Sequence, residues 1–461
     1  MKEGPAALNP PPGHSGKNPL IQAMPSGYTQ TLEFLYGLQW HGIKLGLENI
    51  RRLSKNLGDP HSDYMSLHFA GTNGKGSSAA ITASILRAAG VSAGLYTSPH
   101  LRDFTERIQV NGIPIPEEAV SGLTSRIREA GRDIPLTFFE FTTAIAYMYF
   151  AERQVRCALF ETGMGGRFDA TNILSPGASV ITNVDVDHQQ YLGRTVREIA
   201  FEKAGIIKNG TPVVTAAERG DALDVIRKTA DGKNAPVYRL GHDFNAVEEA
   251  GGSFRYEGIS RTVAGLRCAL PGRHQVKNAA CALAAIELTA PSLPDEEAFT
   301  DDVLRHGLAG VRWPGRFEVF PREEDRPEVI LDGAHNPAAA AALRDHLELS
   351  AGETTGKTFL VLGLLRDKDV NGILEALVPL AGEVIATRPD YGRALPAQGL
   401  KRALARYGLP VTVCENVPVA MRFAVKAAKR DDRVLVTGSL FTVGEARSFL
   451  LGLPGPSSVK G

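Results

Sequence analysis

"HFAGTNGKGSSAAI", residues 68–81, is the stretch on which the reading of the fold turns. It looks like a phosphate-binding loop, yet the strict pattern G-x-x-x-x-G-K-[ST] fails at both ends. The first glycine would fall at Phe69, and Gly76 follows Lys75 where a serine or threonine is expected. The context is nevertheless that of such a loop. His68 to Ala70 close an apolar stretch, and Ser77 to Ala89 read as an Ala-rich helix stopped by Gly90. Gly71, Gly74 and Gly76 let backbone N–H groups approach an anion closely. The helix N-terminus adds partial positive charge and Lys75 a full one. A plain strand-to-helix turn with an exposed lysine is the competing reading. The strand-loop-helix context and the lysine together favour nucleotide. It stays open which group replaces the missing hydroxyl at a metal.

Outward from the loop, residues 28–57 carry apolar positions at helical spacing, Leu32, Leu35 and Leu38, then Leu45, Ile50 and Leu53. Short apolar runs such as "CALFET" (157–162) and "SVITNV" (179–184) alternate with helical stretches up to His188. Continuous apolar strands between helices indicate a parallel sheet covered on both faces. A second alternation starts near residue 328 with "EVILDG", "TFLVLG", "GEVIAT", "VTVCEN" and "DRVLVTG". That makes a second doubly wound unit. Pro314 and Gly315 break the chain at the junction. The expected organisation is an α/β protein: a tail over 1–27, a first domain over 28–310, a smaller second domain over 311–454 and a tail over 455–461.

Composition narrows the class. Lys plus Arg and Asp plus Glu both count 51, so no global basic field points to nucleic acid. Apolar residues at 43% suit sizeable cores, and no run of 18 apolar residues suggests a membrane span. "MKEGPAALNPPPGHSGKNP" lacks an apolar h-region and reads as a disordered tail rather than a secretory signal. Cys157, Cys268, Cys281 and Cys414 form no C-x-x-C pair, which suits a reducing cytoplasm without a zinc site.

Further candidates stand at strand ends, where open α/β sheets bind ligands. "LFETGMGGRFDATN" (159–172) places Glu161 before a Gly-rich loop with Arg167 and Asp169. "NVDVDHQQYLG" (183–193) places Asp185, Asp187 and His188 past another strand. Carboxylate and imidazole at adjacent strand tips can share a hard cation that also holds phosphate oxygens. Singly, each has a plain alternative as a turn former or a hydrogen-bonded structural histidine.

Read together, "GTNGKGSS", "YTSPHLRDFTERI", "ETGMGGRFDATN", "TNVDVDHQQYLG", "EKAGIIK", "PGRHQVKNAACAL", "WPGRFE", "DGAHNP" and "TGSLFTVGEAR" follow in this order. In this set the chain closely resembles folylpolyglutamate synthase, including the bifunctional dihydrofolate synthase type, within the Mur ligase superfamily. The resemblance covers about residues 28–450. It implies a P-loop-type Mur ligase central domain followed by a smaller Rossmann-like domain. It implies an ATP-dependent ligase that joins L-glutamate to dihydropteroate and to reduced folates through an acyl phosphate. A monomer in the cytoplasm is expected.

The resemblance also implies roles. Magnesium ligands match Ser98, Glu161 and His188, so the hydroxyl comes from another loop. Thr72, Asn73, Gly74, Lys75 and Gly76 hold phosphates, and Asn278, Arg316 and Asp332 match ATP contacts. His335 lies one turn beyond Asp332 and faces phosphate or glutamate. Thr137, Phe138, Phe139 and Glu140, with Phe168, Asp169 and Ala170, match dihydropteroate-binding stretches. Buried core is the competing reading for the two phenylalanines. Lys203 aligns with a lysine carbamylated by CO₂, which makes it a further metal ligand beside His188. Three alternatives stay open: a monofunctional folylpolyglutamate synthase, a cell-wall precursor ligase of the Mur type, and a nucleotide-binding regulator without catalysis.

Overall fold

The computed structural model describes residues 27–38, 46–293, 296–324, 326–349 and 356–456. The two expected tails lie outside the described residues except for Gly27, Gly455 and Pro456. The apolar spacing over 28–57 resolves into two helices, Tyr28–Gly37 and Glu48–Asn56, and Leu45 falls outside the described residues.

Eight strands make the first sheet: β1 (Met65–Ala70), β2 (Ala93–Tyr96), β3 (Ile108–Val110), β4 (Ile113–Pro114), β5 (Cys157–Glu161), β6 (Ala178–Ile181), β7 (Val213–Thr215) and β8 (Val237–Arg239). Their order is β4-β3-β2-β5-β1-β6-β7-β8. β2, β5, β1, β6, β7 and β8 pair in parallel in that order, and β3 and β4 add an antiparallel edge. The apolar runs exist because both faces are covered. Leu67, Phe69, Leu159 and Val180 join a core with helices Lys75–Ala88 and Arg273–Thr289. Ala158 and Phe160 point the other way, into a core with Phe141, Ile145 and Phe150 of helix Phe138–Glu152. Each fully buried phenylalanine here contributes about 1.5–3 kcal/mol.

Three short strands, β9 (Asn245–Glu248), β10 (Phe254–Glu257) and β11 (Thr262–Leu266), form a separate antiparallel sheet. The sequence reading stopped at His188 and did not anticipate β7 to β11. Their runs are three to five residues long, and β8 and β9 have no fully buried residue, so the apolar signal is weak.

The second sheet contains the five expected strands, β13 (Glu328–Leu331), β14 (Thr358–Leu362), β15 (Glu383–Ala386), β16 (Val411–Val413) and β17 (Arg433–Thr437). It also has an unanticipated antiparallel edge strand, β12 (Glu318–Phe320), in the order β12-β13-β17-β14-β15-β16. Cores lie on both faces, one around Leu360, Leu374 and Leu400, the other around Val361, Met421 and Val434. Leu101 of the first unit packs onto the core around Val361, and Trp313 at the junction packs onto the first sheet's core around Leu67 and Phe69. The two sheets therefore meet at a built seam.

Candidate active site

In the first sheet, β1 lies between β5 and β6, and its chain continues to the far side of β5. At such a switch point the loops after neighbouring strands diverge and leave a crevice. Four loops converge there: Gly71–Lys75 after β1, Thr97–Pro99 after β2, Thr162–Met164 after β5 and Thr182–His188 after β6.

The phosphate loop is shaped by close backbone approach. Gly71 (φ 151°) would set a Cβ 2.0 Å from the Thr182 hydroxyl, and Gly74 (φ 87°) one 2.3 Å from Asn278 Oδ1. The Thr72 amide donates to the Asn183 carbonyl (2.9 Å), and the Asn73 amide to Asn183 Oδ1 (2.7 Å). These two of the five expected residues thus have their amides engaged with the β6 loop. The helix that begins at Lys75 leaves its first amides without intrahelical partners. Lys75 Nζ donates to the Gly71 and Thr72 carbonyls (3.1 and 3.3 Å) and stands 3.9 Å from Glu161 Oε1.

The missing hydroxyl has a steric account. A Cβ on Gly76 would lie 3.1 Å from Glu161 Oε2 and 3.3 Å from the Trp313 ring. Glu161 fills the space that a loop serine would need. Its carboxylate accepts from the Ser98 amide (3.2 Å). Burial raises the Glu161 pKa, while Lys75, the Ser98 amide and Arg316 pull it back down.

Lys203 is buried, 3% exposed, and donates to the Gly71 carbonyl at 2.7 Å. Burial, then Lys75, pushes its pKa well below that of an ordinary lysine, against the pull of Asp187. Lys203 is therefore not a solvated surface charge. His188 holds a left-handed backbone (φ 50°) ahead of the short helix Gln189–Leu192. For a non-glycine residue this conformation costs about 1–2 kcal/mol and persists only where surroundings enforce it. Burial lowers the His188 pKa to about 4, with Lys368, Lys75 and Lys203 adding to the effect and Asp187 opposing it. The ring is neutral near pH 7 and has a lone pair for a metal.

Asp187 joins the two units. It accepts from Lys368 Nζ at 2.7 Å and from Asn336 Nδ2 at 3.3 Å, and its Oδ2 lies 3.9 Å from His335 Nε2. Burial acts to raise its pKa, but His188, Lys368 and His335 outweigh this and hold it well below the carboxylate range. Asn336 also exchanges hydrogen bonds with Asn73 of the phosphate loop (2.9 and 3.3 Å). The second sheet thus sets the loops after β13 and β14 against the loops after β1 and β6.

His335 donates from Nδ1 to the Gly333 carbonyl (2.8 Å). Its pKa falls to about 4, through burial first and then Lys368. Asp332 accepts the amides of Phe317 (2.9 Å) and Ala334 (2.8 Å), and Arg316 lies against Gly333 beside it. Burial raises the Asp332 carboxyl, with Arg316 opposing. Asn278 donates to Gln275 (2.9 Å) and keeps Oδ1 toward Gly74.

A cavity of about 650 Å³ opens beside this seam. Thr137 to Glu140, Phe168 to Ala170, Ser98, His188 and His335 all line it. Thr137 and Glu140 form a capping box at the start of helix Phe138–Glu152, so their polar atoms are committed to the helix end. Phe138 and Phe139 are half-buried and keep one face to the cavity. The Asp169 carboxylate accepts from Met164 N (3.1 Å), Thr171 N (3.0 Å) and the Thr171 hydroxyl. Most of its acceptor capacity is used within its own turn, which leaves little for the dihydropteroate that the resemblance implies at this stretch.

The sequence reading took Asp187 as a carboxylate that shares a cation with the His188 imidazole and not as the link between the two units, and it did not single out Asn336, Lys368, His100 or Arg107 as site residues. Arg107, 5% exposed, donates from Nε to His100 Nδ1 at 2.7 Å and lies 5.3 Å over Phe138. "LLRDKD", a charged run just past an apolar strand, was the available signal for Lys368.

Among the described residues, no three His, Cys, Asp or Glu side chains gather at ligating distance. The expected metal set supplies two such groups, Glu161 and His188, with the Ser98 hydroxyl. Magnesium accepts few protein ligands and completes its shell with water and phosphate oxygens, so the residues fit.

Two family models match the chain, the Mur ligase middle domain over residues 69–286 and the Mur ligase glutamate ligase domain over 315–440. A dihydrofolate synthase/folylpolyglutamate synthase of Bacillus subtilis is 35% identical over 92% of this chain and 99% of its own length. The structure of Escherichia coli FolC in complex with DHPP and ADP is similar at TM-score 0.85 and 31% identity, over 94% of this chain and 99% of that one. A bifunctional folylpolyglutamate synthase/dihydrofolate synthase of Yersinia pestis, complexed with AMPPNP and Mn ion, is similar at TM-score 0.83 and 32% identity. The match covers 94% of this chain and all of that one. Among the described residues, no helix is long and apolar enough to cross a membrane.

Proposed function

The chain belongs to the folylpolyglutamate synthase/dihydrofolate synthase family of Mur ligases, and we propose that it joins L-glutamate to dihydropteroate and to reduced folates at the expense of ATP. The observation that carries this reading is the seam itself. Asn336 and Lys368 of the second unit touch Asn73 and Asp187 of the first, beside a phosphate loop and a cavity lined from both sides. Three reactants must meet in such a ligase, and holding them aligned supplies much of the rate.

A carboxylate is a poor acyl donor until phosphorylation gives it a leaving group. ATP lies across the seam, with its phosphates on the helix that starts at Lys75 and with Asn278, Arg316 and Asp332 around the nucleotide. The Lys75 ammonium neutralises charge that builds on the transferring phosphoryl group. Attack by the substrate carboxylate gives the acyl phosphate and ADP. The glutamate amine then adds to the acyl carbon, and phosphate leaves from the tetrahedral intermediate. His335, neutral at Nε2, is placed at the seam to accept a proton from the incoming amine. The closed seam keeps water from the acyl phosphate.

Ser98, Glu161 and His188 would hold Mg²⁺, which supplies charge neutralisation on the phosphate oxygens when bound. Lys203 is the fourth member of this set. Its buried, neutral-leaning amine is the form that CO₂ carbamylates, and the product is a carboxylate-like ligand. We assign 28–310 to the nucleotide-binding unit and 311–454 to the glutamate ligase unit, and take the enzyme to act as a cytoplasmic monomer.

The test is product analysis with dihydropteroate and tetrahydrofolate offered separately, each with ATP and glutamate. Glutamylated product and ADP release with both are expected. Product from tetrahydrofolate alone would establish the monofunctional alternative. ADP release that needs neither acyl substrate nor glutamate would overturn the ligase.

A further inference from the structure

Among the described residues, four cations line the cavity: Arg107, Arg167, Lys368 and Arg393. Three of them are committed. Arg167 pairs with Glu202 (2.7 Å) and lies over the rings of Phe168 and Phe201 (4.3 and 4.8 Å). Lys368 is held by Asp187. Arg107 is bonded to His100, buried under Phe138 and within electrostatic reach of Glu161, at the phosphate end of the cavity.

Arg393 differs. Its nearest carboxylate, Asp367, is 3.7 Å away, beyond hydrogen-bond distance, and its side chain is 56% exposed. Its Nε and Nη2 donate to the Tyr391 hydroxyl (3.2 and 2.9 Å). Tyr391 is stacked on Phe441 with ring centroids 4.0 Å apart. The loop is pinned to the one that carries Asp367 and Lys368, by Arg366 N to the Arg393 carbonyl (3.0 Å) and Arg366 Nε to the Ala394 carbonyl (3.1 Å). The guanidinium is therefore oriented by its own neighbours, and Nη1, ion-paired to Asp367 at 3.7 Å, has no hydrogen bond among the described residues. Its Nε/Nη2 edge is held by Tyr391, and its Nη1/Nη2 edge is a preorganised pair of donors for a carboxylate.

The two classes of acyl substrate differ in one respect that such a fork can detect. Dihydropteroate has a single carboxylate, the one that reacts. A folate has the reacting γ-carboxylate and, in addition, the α-carboxylate of each glutamate already attached. A cation at the Glu161 end meets the reacting group, which both possess, and so cannot discriminate between them.

We propose that Arg393 reads the glutamate tail of the acyl substrate by binding an α-carboxylate that dihydropteroate lacks. This rests on the reading that one cavity takes both substrates. The test is Arg393→Gln and Arg393→Lys, with kcat and KM measured separately for dihydropteroate, tetrahydrofolate and tetrahydrofolyl-diglutamate, and KM for L-glutamate in each reaction. For Arg393→Gln the KM of both folates rises about tenfold to a hundredfold, as for loss of a charge-assisted fork, with kcat little changed. Arg393→Lys loses less, because charge remains without the planar fork. Dihydropteroate ligation stays within about twofold and serves as the folding control. Equal losses with dihydropteroate, an unchanged folate KM, or a raised KM for L-glutamate in both reactions would each overturn the assignment. If the wild type uses no dihydropteroate, the two-substrate reading fails on its own. Equilibrium titration with tetrahydrofolate and tetrahydropteroate then decides Arg393, with affinity lost only for the former if the proposal holds.

Discussion

The two sheets present the same kind of edge to the seam, the carboxyl ends of parallel strands, but they build it from different materials. On the first sheet the loop after β1 is backbone packed on side chains, and a Cβ at Gly71 or Gly74 would collide with Thr182 or Asn278. On the second sheet, side chains reach across: Asn336 to Asn73 and Asp187, Lys368 to Asp187, His335 to the edge of the cavity. One edge is specified by sterics and the other by charge and hydrogen bonding. The first should therefore fail abruptly on substitution and the second by degrees.

The largest expected effect lies on the first edge. Lys203→Ala should reduce ligation by more than about 10³-fold, because the group proposed to complete the metal set is gone. Nucleotide affinity, measured by titration with ADP, should change little. Near-normal turnover would remove Lys203 from the chemistry.

Gly76→Ser tests the steric account directly, since it restores the hydroxyl of the standard motif. The new side chain must displace Glu161 or Trp313, and a shift of this kind in a reacting site costs about 10²-fold in kcat. Steady-state kinetics that match or exceed the parent would break the contrast between the two edges.

A smaller loss is expected on the second edge. Asn336→Ala removes two bonds to Asn73, one to Asp187 and the cap on Ala339 N. At about 1 kcal/mol or less per neutral bond, partly replaced by water, kcat/KM should fall about tenfold. Small-angle scattering should show a larger radius of gyration than the parent in the presence of ATP and substrate. Identical scattering and kinetics would show that the seam does not depend on this residue.

The gentlest effect is in stability against pH. His188 and His335, one from each edge, both have folded pKa values near 4 against 6.5 unfolded. Between these values the unfolded chain binds more protons, so stability falls as pH drops from about 6.5 toward 4. His274 and His68 titrate low as well, at about 4 and about 3, and add to the same slope. The limit is about 1.4 kcal/mol per pH unit for each fully buried histidine, and less for His188, whose ring is 36% exposed. Burial raises the carboxyls of Glu161 and Asp332, which act in the opposite sense. Denaturant titrations at pH 7, 6, 5 and 4.5 should therefore show a steeper decline in the parent than in His335→Asn, and equal slopes would mean the His335 ring is solvated.

Much of this was legible beforehand at strand ends. "HFAGTNGKGSS" carries its own punctuation, an apolar run, three glycines and a lysine, so loop and helix could be read without tertiary information. The five strands from "EVILDG" to "DRVLVTG" were legible for the same reason, because burial on both faces writes a continuous apolar run. β12 was not, since Val319 is exposed at 44% and an edge strand of three residues leaves no such run. Thr137 and Glu140 matched substrate-binding stretches, and in the fold their polar atoms cap a helix. Sequence spacing of S/T-x-x-E fits that local role equally well.

What sequence alone determined here is local: strand and helix periods, the glycine loop, the absence of a motif hydroxyl at Gly76, and the ordered motifs that identify the family. These depend on neighbours within a few residues. Only the tertiary structure decided that Glu161 occupies the space before Gly76, that Lys203 is buried against Gly71, and that Asp187 is shared by Lys368, His335 and Asn336. Burial and charge partners are set by residues up to 263 positions away, as between Asn73 and Asn336. A lysine reads the same in a string of letters whether water or a carbonyl oxygen surrounds its amine, and desolvation, which separates the two cases, exists only once the chain has folded.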